Sequence, residues 1–208
     1  MSAGTSETPQ IRNIALLALS QALFMSVQSM STATTPLAAY VLLDAEHKWM
    51  ATIPVFLVHA GIMLCTIPAS LIMGAVGRRA GFSMGAVLGL VSGLIGYAAI
   101  VRGSFLLLCL SSLLQGMQGS FFWYFRLAAA DVATPDTRAR AISLVMAGGV
   151  LAGFLGPQTA KWTADVLAVT FSAVYLASAT YSIIVLALVQ FVSIPTLTAA
   201  ERAEPSER

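Results

Sequence analysis

Six continuous apolar runs occupy most of this chain, at about 14–41, 51–73, 82–101, 104–130, 141–160 and 167–194. A helix needs roughly 20 apolar residues to cross the hydrocarbon core of a bilayer, so each run is long enough for one crossing. A membrane-spanning barrel is excluded by the same pattern, because its segments of roughly ten residues would alternate apolar and polar side chains. Helices satisfy their own backbone groups and can sit in lipid without strand partners. The fold expected is therefore an all-α membrane protein, a bundle of six transmembrane helices over residues 14–194. A polar N-terminus, 1–13, and a polar tail, 195–208, flank it and are expected to lack fixed structure.

Composition supports the bilayer as solvent. Only 10% of the 208 residues are charged, whereas a soluble domain would have nearer a quarter. A formal net charge of +2 is too small to point to nucleic acid. Its placement is more informative. With the N-terminus inside, Arg12, Arg78, Arg79, Arg126, Arg138, Arg140, Arg202 and Arg208 fall on one side, eight of the eleven basic residues. Lys48, Arg102 and Lys161 fall on the other. The positive-inside bias then makes both termini cytoplasmic, in a plasma or bacterial inner membrane. Ser31-Thr-Ala33 resembles a signal cleavage site, but a signal's apolar region is roughly 7–15 residues. The first run continues past Leu37.

The connections between runs are too short for a soluble domain, so the chemistry must lie in the bundle or at its rims. Cys65 and Cys109 both sit in apolar runs, where a thiol is a small hydrophobe. No disulfide framework, metal-ligand spacing or cofactor motif follows from them. There is no zinc-protease pattern, serine elbow or pair of intramembrane carboxylates, which argues against an enzyme. The nine methionines are scattered rather than clustered, which suits packing better than copper handling.

Three runs carry polar stripes. Gln21, Gln28 and Thr32 are spaced to share one face of the first helix, with Met25 between them. Thr52, His59 and Thr66 repeat every seven residues in the second. Gln115, Gln118, Phe122 and Arg126 share a face of the fourth. The alternative for any one Gln or Thr is an interhelical hydrogen bond, worth on average about 0.6 kcal/mol in a bilayer. His59 is the only ionisable group near the middle of a crossing. It could serve proton-linked transport or bind an anionic or aromatic solute, or it could be a neutral side chain bonded to a neighbouring helix. Arg126 could hold a carboxylate or phosphate if it points inward; pointing outward, it is an interfacial anchor. Phe121-Phe-Trp-Tyr-Phe125 cannot all face one way on a helix. Trp123 and Tyr124 fit an interfacial belt, and Phe122 could stack on a planar solute. Gly81, Gly85, Gly89 and Gly93 stack on one face of the third helix and allow a close helix approach. Gly149, Gly153 and Gly156 make a similar series in the fifth, where Pro157 should bend the segment.

The turn Gly74-Ala-Val-Gly-Arg-Arg-Ala-Gly81 resembles the signature of the major facilitator superfamily. Gly74, Arg79 and Gly81 fit; Arg78 stands where that signature has an acid, and Phe82 and Ser83 replace its closing basic pair. The turn Asp131 to Ala141 is similar to the acid, proline and arginine pattern after the fourth helix of that family, and Gln115-Gly116 to its glutamine-glycine pair, with Ser112 in place of the preceding arginine. Gly156-Pro157 resembles its fifth-helix antiporter motif, with Ala160 and Lys161 in place of the paired glycines. The resemblance implies one six-helix half of a secondary transporter built from two. The chain is then either truncated or half-size, and needs a partner half by self-association or from a missing C-terminal half. It implies that the polar stripes converge on a small-molecule substrate in a central cavity. It also implies a cytoplasmic gate of Gly74, Arg78, Arg79, Gly81, Asp131, Arg138 and Arg140. The competing reading is a non-transporting membrane subunit or assembly partner.

Overall fold

The computed structural model describes residues 4–192, which form seven α-helices, with no strand among the described residues. They are α1 (Gly4–Leu42), α2 (Ile53–Val76), α3 (Arg78–Val101), α4 (Phe105–Phe122), α5 (Phe125–Val132), α6 (Arg138–Thr163) and α7 (Ser172–Phe191), with a 3-10 turn at Ala45–Thr52. Helices α4 and α5 together make one crossing, which leaves six segments long and apolar enough to span a membrane among the described residues. Residues 4–13, expected to lack fixed structure, are helical instead. Extending an existing helix adds one hydrogen bond per residue fixed, without the penalty of a new nucleus. The tail at 195–208, with Arg202 and Arg208, lies outside the described residues.

Two glycines set the tight reversals. Gly77 is the single residue between α2 and α3 and has φ 89°; Gly103, between α3 and α4, has φ 65°. A side chain at either would meet the steric penalty of the left-handed region. Ser104 then caps α4 by accepting a hydrogen bond from the Leu107 amide at 3.4 Å.

Helix α1 packs on α6 and α7, α3 on α4 and α7, and α2 on α4. Lipid is as apolar as leucine, so these pairs are held by close contact and hydrogen bonds rather than by hydrophobic exclusion. The third-helix glycines pack as expected: a Cβ on Gly93 would lie 2.8 Å from the Ala179 amide nitrogen, and one on Gly85 2.9 Å from Phe121 Cβ. Gly61 and Gly116 bring α2 and α4 together so closely that a Cβ on either would run into the other helix's carbonyls. Ser92 and Ser111 tie α3 to α4 by donating to one another's carbonyls, at 2.8 and 2.9 Å. Thr159 and Tyr181 join α6 to α7 at 2.8 Å.

The five consecutive aromatics do not lie on one helix. Trp123 and Tyr124 form the turn between α4 and α5, and this break lets Phe121, Phe122 and Phe125 all be buried. Phe122 stacks on Phe24 with centroids 4.2 Å apart and leans on Phe125 at 4.9 Å, while Phe82 stacks on Phe125 at 4.3 Å. Four rings from α1, α3, α4 and α5 thus form the centre of the core. Rings in such arrangements gain roughly 0.5–1.5 kcal/mol per pair beyond simple burial.

The bundle is unevenly covered. In their apolar windows α1 and α4 are 56% buried, but α2 is 17% buried and α6 28%. Helices α2 and α6 are the rims of the bundle, with α1 running between them.

Candidate functional site

The polar residues of the first helix divide in two. Met25, Gln28, Ser29, Thr32 and Ala33 line one wall of a groove of about 540 Å³, whose other wall is Gly149, Ala152, Gly153 and Pro157 of α6. Gln28 and Thr32 also line a narrow notch on the α2 side with Ser31, Thr35, Val55, Val58 and His59. These residues form one continuous strip across the face between the two rim helices. Gln21 is not part of it. It is buried, and its Oε1 has no hydrogen-bond partner among the described residues.

Gln115 reaches the strip from behind. Its Nε2 donates to Ser31 Oγ at 2.7 Å and Gln28 Oε1 at 3.0 Å, with Val27 O at 3.4 Å. The two protons of one amide nitrogen are thereby committed to α1. His59 is exposed, and its Nδ1 donates to Val55 O at 2.9 Å, because a carbonyl can only accept. That bond is within its own helix, and among the described residues His59 makes no hydrogen bond to a neighbouring helix, which was one of the two readings open to it. Thr66 likewise bonds back to Ile62 O, and Thr52 is exposed at the start of α2.

Gln118 and Phe122 correct the expectation of a single fourth-helix stripe. Gln118 is 2% exposed and its amide packs against Gly89 of α3, while Phe122 is inside the ring stack. Neither borders the groove. Residues three apart on a helix differ in direction by about 60°, and Gln115 and Gln118 fall on opposite sides of the boundary between face and core. Arg126 leaves the stripe altogether, since the turn at Trp123 and Tyr124 restarts the helix. It is exposed, with no ion pair among the described residues.

At one end of the bundle the two adjacent arginines diverge. Arg78 Nε lies 2.6 Å from Asp131 Oδ2, with both side chains about one quarter exposed at 24% and 22%. Arg138 adds a second positive charge near that carboxylate. Arg79 turns to α7 and donates to Gln190 Oε1 at 3.2 Å; Gln190 in turn donates to Ser83 Oγ at 2.8 Å. Gly81 packs on Met73, whereas a Cβ on Gly74 would meet open space. Arg140 is exposed. The residue here that sequence reading missed is Gly77, which alone makes the reversal; its signal was its position as the last residue before the arginines.

The fifth-helix glycines also separate into two sets. Gly156, together with Gly148, which the spacing did not single out, meets the α1 backbone: a Cβ on Gly148 would lie 2.6 Å from Ala18 O, and one on Gly156 2.8 Å from Ser26 O. Gly149 and Gly153 face the groove. Helix α6 continues unbroken through Pro157. Ser29, Ser31 and Thr35 join the strip without having been singled out as site residues in the sequence, where serine and threonine are frequent along the first run.

The chain is 39% identical over 163 residues to riboflavin transporter RfnT of Brucella anthropi, a match that covers 78% of this chain and 40% of that protein. The chain thus spans about two fifths of the relative's length. No protein-family model matches it, and no solved structure does. With six membrane-length helices and this similarity, the chain is an integral membrane protein related in sequence to part of a transporter.

Proposed function

We propose that the chain is a six-helix half of a major facilitator superfamily transporter. In this reading it works with a second six-helix half to carry a small planar solute of the flavin class by alternating access. The observation that carries the reading is the 39% identity to a riboflavin transporter over most of this chain. The open strip of Gln28, Thr32 and His59 supports it, because in such transporters the solute lies at the bilayer midplane between two repeats. The poorly covered rims α2 and α6 are where a second half would sit, and it would close the strip into a cavity. The half itself could be another copy of this chain or a separate segment.

The Arg78–Asp131 pair lies at the end that the excess of arginines assigns to the cytoplasm, in a plasma or bacterial inner membrane. A charged contact there can act as a gate when helices shift against one another. Gln28, Thr32, His59 and Gln115 form the solute site in this proposal; Gln21, Gln118 and Phe122 support it from the core.

Uptake of labelled riboflavin by membrane vesicles containing the purified protein tests the reading. Saturable accumulation that competes with unlabelled riboflavin is expected. Well-folded protein that moves no riboflavin in either direction, both alone and co-reconstituted with a second six-helix half, would exclude it.

A further inference from the structure

The notch between α1 and α2 measures about 10 Å³ and is lined by Ser31, Thr32 and Thr35 on one side and by His59 on the other. Roughly 10–15 Å³ is the room that one water-sized oxygen needs, so the notch admits a single oxygen and no ring. Two of its side chains are almost wholly buried, Ser31 at 7% exposed and Thr35 at 2%. A hydrogen bond left open on either is costly unless the notch meets it.

Both have one left open. Ser31 Oγ accepts from Gln115 Nε2 at 2.7 Å, and its own hydrogen has no acceptor among the described residues. Thr35 Oγ1 and Tyr175 OH are 3.2 Å apart, and neither hydroxyl has another partner there. Tyr175 is buried and does not line the notch, so its hydrogen goes to Thr35. The hydrogen of Thr35 is then unspent. The two other groups are acceptors. Thr32 Oγ1 donates to Gln28 O at 2.9 Å and can only accept further. His59 Nδ1 carries the hydrogen given to Val55 O, which leaves Nε2 of the neutral ring as a lone pair with no bond among the described residues.

The notch therefore combines two hydroxyl hydrogens and two acceptors with room for one oxygen. Two donors disfavour a cation as occupant. An anion is disfavoured too, because α1 has no basic residue between Arg12 and Asp44 and α2 has none at all. The complement of such a set is a neutral hydroxyl, which accepts and donates at one atom.

We propose that the notch is a subsite for one alcohol hydroxyl of the solute, which accepts from Ser31 and Thr35 and donates to His59 Nε2 or Thr32 Oγ1, with water in its place when no solute is bound. The donations from Gln115 and Tyr175 leave both hydroxyl hydrogens to the occupant. The inference rests on the transporter reading above and names a part of its solute. On riboflavin that part is a hydroxyl of the polyol chain, with the ring system outside the notch.

Binding to the purified full-length protein, alone and with a second six-helix half, followed by quenching of flavin fluorescence, tests it with riboflavin and with lumiflavin, in which a methyl replaces the polyol chain. Wild-type protein should bind riboflavin at least tenfold more tightly than lumiflavin. Ser31→Ala, Thr35→Val and His59→Phe should each lower that ratio at least threefold, with lumiflavin affinity within twofold of wild type. Thr35→Ser, which keeps the hydroxyl, should hold the ratio within twofold, as should Thr66→Val, whose hydroxyl bonds back to Ile62 O outside the notch. His59 is exposed and makes no bond to another helix, so His59→Phe reads the subsite even if a buried variant misfolds. A ratio unchanged in His59→Phe and in the folded alanine or valine variants overturns the subsite. Equal affinity of wild type for the two flavins means that the notch holds water only; it overturns the subsite and leaves the flavin reading standing. If wild-type protein binds neither flavin in either preparation, the flavin-transporter reading fails and this inference fails with it.

Discussion

Removing the Arg78–Asp131 pair should destabilise the bundle by a measurable and coupled amount. The charged groups touch at 2.6 Å with each side chain about one quarter exposed, 24% and 22%. Two unit charges with centres about 4 Å apart attract by about 4 kcal/mol at an effective dielectric of about 20. Partial desolvation and the ordering of two side chains remove much of that. The net belongs between an exposed pair, roughly 0.2–1 kcal/mol, and a buried one, where losing a single partner costs roughly 3–5 kcal/mol. A coupling of about 1–2 kcal/mol is expected, which is roughly a 5- to 30-fold change in the folded-to-unfolded ratio. The assay is a double-mutant cycle of Arg78→Gln, Asp131→Asn and both together, with unfolding followed in detergent micelles. The double variant should be little worse than the poorer single variant. Arg79→Gln should cost less than about 0.5 kcal/mol, since Arg79 makes an exposed bond to a neutral Gln190. Raising salt to 1 M, where the screening length is about 3 Å, should shrink the coupling. A coupling below about 0.3 kcal/mol, the level at which independent sites already agree, would refute the reasoning. So would an Arg79→Gln loss equal to that of Arg78→Gln.

Three other perturbations follow from the packing. Gly116→Leu would drive a side chain into Val58 O, a backbone atom that cannot rotate away; a loss of at least about 3 kcal/mol is expected, at the upper end for overpacking. Size-exclusion chromatography and melting should show it as aggregated or early-melting protein. Phe122→Ala removes the ring that contacts both Phe24 and Phe125, and should lose about 3 kcal/mol of stability. The flavin affinity of the fraction that stays folded should be unchanged, because Phe122 does not border the groove. Gln115→Leu deletes two good bonds to α1; at the average for bilayer hydrogen bonds the cost is about 1 kcal/mol. Calorimetry should find that small change accompanied by a larger loss of flavin binding, as Gln28 becomes free to turn.

The apolar runs determined a great deal by themselves. Continuous segments of membrane length leave few alternatives in a bilayer, so the helical class and the six crossings were legible, as was the glycine face of the third helix. Interior placement was less legible. Gln115 and Gln118 have the same chemistry one turn apart, yet one tethers the exposed strip and the other is buried against Gly89. Which side of the boundary each falls on depends on how α4 is rotated against α2 and α3, and that is fixed by contacts with other helices. The aromatic run shows the same limit, since the break at Trp123 and Tyr124 is what turns Phe122 and Phe125 into one stack.

The candidate gate and groove show the division most clearly. Sequence placed Arg78, Arg79 and Asp131 near one another through a family resemblance, but not which arginine would take the carboxylate. The reversal at Gly77 sets α3 so that Arg78 meets Asp131 and Arg79 meets Gln190. In α6, four glycines of identical chemistry became two contact points and two open positions according to the direction in which α1 crosses them. The sequence thus determined what could enter the membrane and as what kind of element, because solvent and backbone hydrogen bonding impose that locally. The tertiary structure alone decided which side of each helix became core, groove or gate, because side-chain direction acquires meaning only against a neighbouring helix.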